Sequence, residues 1–189
     1  MSRPLRVVGI GGTGRAGSTT ERLVAAALDR AAAAGAETTL FASADLDLPI
    51  YAPERPERAP AAQRLIAAVA ACDAVVVASP GYHGGVSGLV KNALDYLEDL
   101  RGDTRSYLDG RAVGLIVCAH GAQAGGTTLT SLRSIVHALR GWPTPLGLTV
   151  NSAVPVELDA PGPPGEPSLG ERLDLMVDQL LTFARVWPR

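Results

Sequence analysis

The chain has 189 residues, a length typical of a single domain that buries a sizeable core without disulfide or metal staples. Its 17 basic and 19 acidic residues nearly cancel, to a net charge of −2, which argues against a nucleic-acid partner and against binding to an anionic membrane. No apolar run approaches the ~20 residues of a membrane span. Because the first residues lead directly into a strand pattern, without the apolar stretch of a signal peptide, we expect a cytoplasmic protein.

Strand and helix patterns alternate along the whole chain. The strand patterns are short apolar runs, and two of them, residues 74–78 and 111–119, are apolar on both faces as central parallel strands are. The helical patterns repeat apolar residues every three to four positions. We expect strands over residues 6–10, 37–41, 74–78, 111–119 and 146–150, and helices over residues 18–34, 61–71, 89–100, 127–140 and 169–186.

This alternation predicts a doubly wound α/β fold. The simplest arrangement at this length is a flavodoxin-like three-layer sandwich around a five-stranded parallel sheet of order 2-1-3-4-5. We expect one domain over residues 1–189, in which the Pro/Gly-rich segment 155–167 is a partly mobile surface loop. Sheets of this kind bind ligands beyond the carboxyl ends of their strands, at the switch point between the first and third strands. The loops after strands one, three and four are therefore the candidate binding loops.

The loop after the first strand has the composition of a phosphate-binding loop. It reads GGTGRAGSTT over residues 11–20 and opens a helix, whose N-terminus favours an anion. Glycines let the backbone turn sharply and bring its N–H groups close to a ligand. Arg15 adds a guanidinium suited to phosphate oxygens. The loop predicts a mononucleotide phosphate site whose hydroxyl donors are Thr13, Ser18, Thr19 and Thr20.

Three alternatives for this loop stay open at this point. Residues 9–14, GIGGTG, match a dinucleotide-binding fingerprint, although no acidic residue ends the second strand at Phe41. Residues 12–19 have Walker A spacing, but Ser18 stands where the phosphate-binding lysine is needed, which argues against a nucleoside triphosphatase. The third alternative is a glycine-rich turn capped by Ser18 that binds no ligand.

The loop after the third strand is the most specific part of the sequence. It reads SPGYHGGVSGLVKNALD over residues 79–95, and we expect Pro80 and the glycines to hold it open so that its backbone reaches a flat heterocycle edge-on. Here the chain resembles the NADPH-dependent FMN reductase family of flavin, chromate, quinone and azo reductases. The family's first loop typically reads Gly-Ser-x-Arg-x-x-Ser-x-Asn, which matches residues 12–20 with Thr13 in place of Ser and Thr20 in place of Asn. Its second loop reads Pro-x-Tyr-Asn-x-x-x-x-Gly-x-Leu-Lys-Asn-x-x-Asp, which matches residues 80–95 with His83 in place of Asn and Val90 in place of Leu.

The resemblance covers residues 7 to about 150 and implies both a cofactor and its site. It implies a bound FMN, reduced by hydride from NADPH or NADH, and no side chain is identified as certainly catalytic. The phosphate would lie at the first loop, and residues 120–126 would meet the far end of the ring. No metal is expected, because the three histidines lack ligand spacing. The implied FMN-binding residues are Thr13, Arg15, Ser18, Thr19 and Thr20 at the phosphate, Pro80, Gly81, Tyr82, His83 and Gly84 along the ring, and His120, Gly121 and Gly125 at its far end.

The resemblance also implies partners. These are a small-molecule electron acceptor, such as a free flavin or a quinone, and a flavin-dependent monooxygenase that would receive reduced flavin. The family further implies a homodimer or a dimer of dimers, with the helix over residues 89–100 at the subunit contact. The alternative function is a flavin-binding electron-transfer protein or sensor without nicotinamide turnover. The nearly neutral charge disfavours an electron-transfer flavodoxin, since flavodoxins are usually strongly acidic.

Two simpler expectations concern the cysteines and one ion pair. Cys72 and Cys118 lie in apolar surroundings, and we expect both to be small core residues without a disulfide. Lys91 and Asp95 are four residues apart on a helix and should form a surface ion pair.

Overall fold

The structure is a computed structural model that describes residues 3–187, so the predicted domain limits at residues 1 and 189 lie outside it. Its strands and helices alternate in chain order as the sequence predicts. The strands are β1 (Arg6–Gly11), β2 (Glu37–Phe41), β3 (Ala74–Tyr82), β4 (Gly85–Val86), β5 (Ala112–Ala119), β6 (Trp142–Pro143) and β7 (Leu148–Asn151). The α-helices are α1 (Thr19–Ala33), α2 (Pro60–Ala71), α3 (Gly88–Asp95), α4 (Ala122–Ala138) and α5 (Leu169–Val186), and short 3₁₀ turns cover Ser43–Leu46 and Tyr96–Leu100.

The parallel sheet has the predicted order. β1 lies between β2 and β3, β5 follows β3, and β6 and β7 both pair with β5 in parallel. The fifth strand is therefore two short pieces rather than the predicted continuous strand over residues 146–150. Pro143 and Pro145 have no N–H to donate to the ladder, and the pairing with β5 is interrupted between Pro143 and Leu148. Thr144 bridges the gap, since its N–H donates to the carbonyl of Val113 and its hydroxyl to that of Leu146.

Helices cover both faces of the sheet and give the three predicted layers. Alternate residues of β3 point to opposite faces, because successive side chains of a strand do so. Val75 and Val77 pack towards α2, α3 and α4, whereas Val76 and Ala78 pack towards α1 and α5. All four side chains are fully buried, which explains why this run is apolar throughout.

The start of α4 differs from the prediction. The helix begins at Ala122 with Gly121 as its N-cap, five residues before the predicted start at Thr127, so most of the predicted loop 120–126 is helical. The two glycines at 125 and 126 suggested a loop, but Gly125 serves helix packing. A Cβ at this position would lie 3.3 Å from the Cβ of Thr149, so glycine lets α4 approach β7 closely.

Three further boundaries depart from the predicted ones. α3 ends at Asp95 and continues as a 3₁₀ turn to Leu100, instead of one helix over residues 89–100. α4 ends at Ala138 rather than at residue 140, because Arg140 has a positive φ of 62°. β5 begins after Arg111, whose buried guanidinium donates to main-chain carbonyls, including two at the C-terminal end of α2.

Two small expectations agree with the structure. Lys91 and Asp95 form an ion pair of 2.6 Å on the exposed side of α3. Cys72 and Cys118 are buried and free, as predicted for core residues. Over residues 3–187 no helix combines the length and the apolar character that crossing a membrane requires.

Candidate functional site

A cleft of about 600 Å³ opens at the carboxyl ends of β1, β3 and β5, the edge at which the fold predicts a ligand site. This volume lies within the range of small-molecule sites. Every predicted site residue lines the cleft except Gly84 and Gly125. The lining residues are Thr13, Arg15, Ser18, Thr19, Thr20, Pro80, Gly81, Tyr82, His83, Cys118, Ala119, His120, Gly121, Gln123, Ala124 and Ser152.

The first loop is organised by its own hydroxyl groups. Ser18 is buried and caps α1, since its Oγ accepts the N–H of Glu21 at 3.2 Å. Thr13 folds the loop tip, because its Oγ1 accepts the N–H of Arg15 at 3.1 Å and donates to the same residue's carbonyl at 3.2 Å. The N–H groups of Thr19 and Thr20 lie in the first turn of α1, where no helical acceptor exists for them. These donors remain available to a ligand in the cleft.

The charges around the cleft favour an anion. Among its lining residues Arg15 carries the one permanent charge, no carboxylate lines the cleft, and within residues 3–187 no carboxylate pairs with Arg15. Glu21 is nearby, but its carboxylate is engaged by the N–H of Gly17 at 3.1 Å and by the hydroxyl of Ser43. The N-termini of α1 and α4 both lie at the cleft and add positive potential.

The second loop is a β-hairpin rather than the open loop that we predicted. β3 continues through Pro80 to Tyr82 and pairs with β4 in antiparallel fashion, so that Tyr82 lies opposite Gly85. His83 and Gly84 form the two-residue turn between them with φ values of 52° and 77°. Two positive φ values in succession are typical of the type I′ turn, whose twist suits a hairpin.

The hairpin explains two residues of the motif. Position 83 needs a positive φ, which His tolerates better than most residues, as does the Asn found there in the family. Gly84 supplies the second turn position, and a Cβ there would lie 3.0 Å from the Oγ1 of Thr127. Gly84 does not line the cleft, and the turn explains its place in the motif.

The floor of the cleft is main chain at Gly81. A Cβ at this position would lie 2.9 Å from the Oγ1 of Thr128 and 3.1 Å from the Cβ of Ala119, so no side chain fits without a shift. The hydroxyl of Thr128 is fully buried and, in the described part of the chain, has no hydrogen-bond partner. Close packing at Gly81 excludes a side chain there, so the backbone itself lines the cleft at this position.

The structure also adds cleft residues outside the predicted loops, Ala119 at the end of β5 and Ser152 after β7. Gln123 and Ala124, which belong to the predicted segment 120–126, line the cleft from the first turn of α4. Cys118 lies beside Ala119, and burial raises the pKa of its thiol. Ligands bind at the carboxyl ends of the strands in such a sheet. This rule points to Ala119 and Ser152 when it is applied to the ends of the fourth and fifth strands and not to the glycine-rich loops alone.

Comparison with known proteins agrees with this geometry. The sequence model of the family described as NADPH-dependent FMN reductase matches residues 5–154. The chain belongs to this family. FMN and NADPH are thus the cofactor and co-substrate that the family's description names, and the predicted family is confirmed.

Two curated relatives of the chain are azoreductases. The chain is 34% identical over 99 residues to the NADPH azoreductase of Bacillus sp. (strain OY1-2), a match that covers 52% of each chain. It is 32% identical over 125 residues to the FMN-dependent NADPH-azoreductase of Staphylococcus haemolyticus (strain JCSC1435), covering 64% of this chain and 61% of the relative. The matched region therefore spans only about half to three fifths of the length of these relatives.

Solved structures confirm the predicted fold. The flavoenzyme NAD(P)H:(acceptor) oxidoreductase FerB from Paracoccus denitrificans superimposes with a TM-score of 0.73 and 19% identity, over 98% of this chain and 99% of that one. An apo NADH:FMN oxidoreductase superimposes with a TM-score of 0.69 and 21% identity, over 97% and 90% of the two chains. At such identities these neighbours establish the flavodoxin-like architecture.

Proposed function

We propose that this chain is an FMN-dependent NAD(P)H oxidoreductase that reduces a small acceptor, such as a free flavin or a quinone. The observation that carries the proposal is one cleft lined both by an anion-attracting loop and by main chain that no side chain covers. The loop spans Thr13 to Thr20, and the floor is formed at Gly81. A nucleotide with a phosphate and a planar ring has this combination of groups, and the chain's family uses FMN.

The phosphate of FMN would be held at the N-terminus of α1. Ser18 and Thr20 would donate their hydroxyls, and the free N–H groups of the first helical turn would donate from the main chain. Arg15 would neutralise the phosphate charge, since it has no carboxylate partner within residues 3–187. Thr13 would keep the loop tip in shape through its two contacts with Arg15.

The ring would lie along Pro80, Gly81 and the hairpin turn. Tyr82 is 59% exposed at the mouth of the cleft, where it and His83 would border the open face of the ring. His120 and Gly121 would meet the other end, beside the N-terminus of α4, whose free N–H groups favour negative charge there.

FMN, when bound, supplies the hydride-accepting and hydride-donating chemistry, so the protein needs no nucleophilic side chain. The contribution of the chain is to orient the ring and to leave one face open to the second substrate. The buried Ser79 supports this orientation, since its hydroxyl accepts the N–H of Ser87 at 3.0 Å and donates to the carbonyl of Pro80 at 2.8 Å. These bonds tie the hairpin to the start of α3.

Binding of FMN tests the site directly. We expect Arg15→Ala to weaken FMN affinity by about 1–3 kcal/mol, or about 5- to 150-fold, the scale of one charged hydrogen bond. Flavin fluorescence titration measures it, and the matched control is Arg101→Ala, a change at a 78% exposed side chain outside the cleft. Unchanged affinity in Arg15→Ala would remove Arg15 from the phosphate site, and a wild-type protein that binds no FMN would overturn the proposal.

Turnover is tested by anaerobic mixing of the FMN-loaded protein with NADPH or NADH. We expect bleaching of the yellow colour with at least one of the two, followed by its return when an acceptor is added. Absence of bleaching with both nicotinamides would instead favour an electron-transfer or sensor role. A stopped-flow screen of flavins, quinones and azo compounds then identifies the acceptor.

The proposal extends to assembly and partners. We place the protein in the cytoplasm as a homodimer or a dimer of dimers, with residues 89–100, in α3 and the 3₁₀ turn after it, at the subunit contact and a flavin-dependent monooxygenase as a further recipient of reduced flavin. Support for the contact comes from Ile50, which is 80% exposed on a loop held against α3. Asn92 holds this loop, since it accepts the N–H of Tyr51 at 2.8 Å and donates to the carbonyl of Pro49 at 3.0 Å. Light scattering on the purified protein measures the oligomeric state, and a monomer would contradict this part.

A further inference from the structure

A second groove adjoins the cleft at its phosphate-loop end. It has a volume of about 300 Å³ and shares Thr19 with the cleft. One wall is the face of α1 that carries Thr19, Arg22 and Leu23, which lie three and four residues apart and so point the same way. The opposite wall comes from the Pro/Gly-rich segment, through Val156, Leu158 and Asp159.

The opposite wall is anchored to the domain. The carbonyl of Leu158 accepts the N–H of Gly170, at the start of α5, at 2.8 Å. The side chains of Val156 and Leu158 are partly buried and pack against the core between α1 and α5. This part of the segment therefore packs against the domain and gives the groove an apolar side, while the partial mobility of residues 155–167 stays a prediction.

The charged groups of the groove are available to a ligand. Arg22 is exposed and, within residues 3–187, forms no ion pair with any carboxylate. It lies one turn beyond Thr19, about 4.5 Å along the helix axis at 1.5 Å per residue. Asp159 lines the same groove without pairing with Arg22. The groove therefore offers a cation close to the phosphate loop, an apolar wall and one carboxylate acceptor.

We infer that this groove binds the adenosine phosphate half of FAD, so that the site accepts FAD as well as FMN. The inference rests on the proposed function, which places the FMN phosphate at the loop from Thr13 to Thr20. FAD is FMN extended at that phosphate by adenosine monophosphate, and the groove begins at that end of the cleft. Arg22 binds the second phosphate, the adenine packs on Val156 and Leu158, and Asp159 accepts a hydrogen bond from a ribose hydroxyl or from the adenine amino group.

The position of the groove favours FAD over the adenosine of a nicotinamide dinucleotide. The nicotinamide has to reach the open face of the ring, beside Tyr82 and His83 at the mouth of the cleft. The groove instead continues from Thr19, at the opposite end of the cleft from the hairpin. A volume of about 300 Å³ is at the low end of small-molecule sites and suits one nucleoside with a phosphate.

Flavin affinities of the apoprotein and its variants test the inference. We expect FAD to bind the wild type at least as tightly as FMN. We expect Arg22→Ala to weaken FAD binding about 10-fold or more, the scale of one charge-assisted hydrogen bond, and to leave FMN affinity within about twofold. Arg22→Lys should recover part of the loss, and the control Arg101→Ala should change neither affinity. Isothermal titration with FMN and FAD separately gives both constants.

The outcomes separate this inference from the proposed function. If FMN binds but FAD binds about 100-fold more weakly, or if Arg22→Ala changes both affinities equally, the inference fails and the FMN site stands. If Arg22→Ala leaves FAD affinity unchanged and raises only the KM for NADPH, the groove holds the adenosine of the nicotinamide dinucleotide, which also overturns it. A protein that binds neither flavin overturns both.

Discussion

Replacing Gly81 by alanine probes the floor of the cleft with one added methyl group. The new Cβ would lie 2.9 Å from the Oγ1 of Thr128 and 3.1 Å from the Cβ of Ala119. Ordinary contacts of this kind begin near 3.4 Å, so the overlaps are about 0.5 Å and 0.3 Å. Neither neighbour can yield easily, because Thr128 is a β-branched residue inside α4 and Ala119 belongs to a central strand. The backbone at Gly81 therefore has to move towards the cleft.

The expected magnitude follows from these overlaps. Overpacking of one methyl group costs about 1–3 kcal/mol of the free energy of unfolding. At about 2 kcal/mol the melting temperature of a domain of this size falls by roughly 4–8 °C. The displaced backbone would enter the space proposed for the flavin ring. FMN affinity should therefore fall as well, and by more than the loss of stability alone would cause.

Thr128 offers the matched double-mutant cycle. Thr128→Ala removes the hydroxyl that the new methyl group meets, together with a buried oxygen that has no partner in residues 3–187. We expect Gly81→Ala/Thr128→Ala to be more stable than the sum of the single changes by about 1 kcal/mol. Urea unfolding measures stability and flavin fluorescence measures affinity for all four proteins. A Gly81→Ala protein with wild-type stability and FMN affinity, or strictly additive effects, would refute the reasoning.

Three further predictions concern the turn, a buried arginine and acid stability. His83→Val should lower stability by about 1–2 kcal/mol in urea unfolding, because a β-branched residue tolerates the φ of 52° poorly, whereas His83→Asn should unfold like the wild type. Arg111→Met should cost about 3 kcal/mol or more, since the buried guanidinium donates to four main-chain carbonyls that would lose their donor; an unchanged urea midpoint would contradict this. A hydrogen bond from Arg58 lowers the pKa of Asp99 below its ordinary 3.8. The unfolded chain therefore binds a proton at Asp99 at a higher pH than the folded protein does. The stabilisation that the Arg58–Asp99 pair provides is present at neutral pH and is lost as the pH falls through the folded pKa. The free energy of unfolding should therefore fall less in Asp99→Asn than in the wild type between pH 5 and 3. An equal fall in the two proteins would argue against a stabilising pair of Arg58 and Asp99.

The features that sequence alone predicted well are local ones. The turn over residues 11–18 and the start of α1 are predictable because the glycines, the capping Ser18 and the helix that follows are neighbours in the chain, and each acts through adjacent backbone. The alternation of buried strands with amphipathic helices likewise gave the sheet order, because short right-handed connections leave few arrangements.

Glycine caused the main errors in the predicted loops and helix boundaries, because the same residue type meets two different structural needs. Gly84 permits a positive φ, which is a local requirement, whereas Gly81 and Gly125 permit the close approach of another element. No pattern in the sequence distinguishes the two, so the stretch around Gly125 was assigned to a loop although it lies in α4.

The sequence by itself determined the fold class, the family and the two loops that meet at the switch point, because hydrophobic periodicity, capping and motif spacing are carried by neighbouring residues. Only the tertiary structure decided that the second loop is a hairpin, that Ala119 and Ser152 complete the cleft, and that Arg22 faces residues 156–159 across a groove. These facts depend on how distant segments pack, and packing is fixed by the contacts among all elements together. The sequence thus predicts a cleft after the first and third strands. The fold adds the packed backbone at Gly81, the lining residues Ala119 and Ser152, and the groove that adjoins the cleft at Thr19.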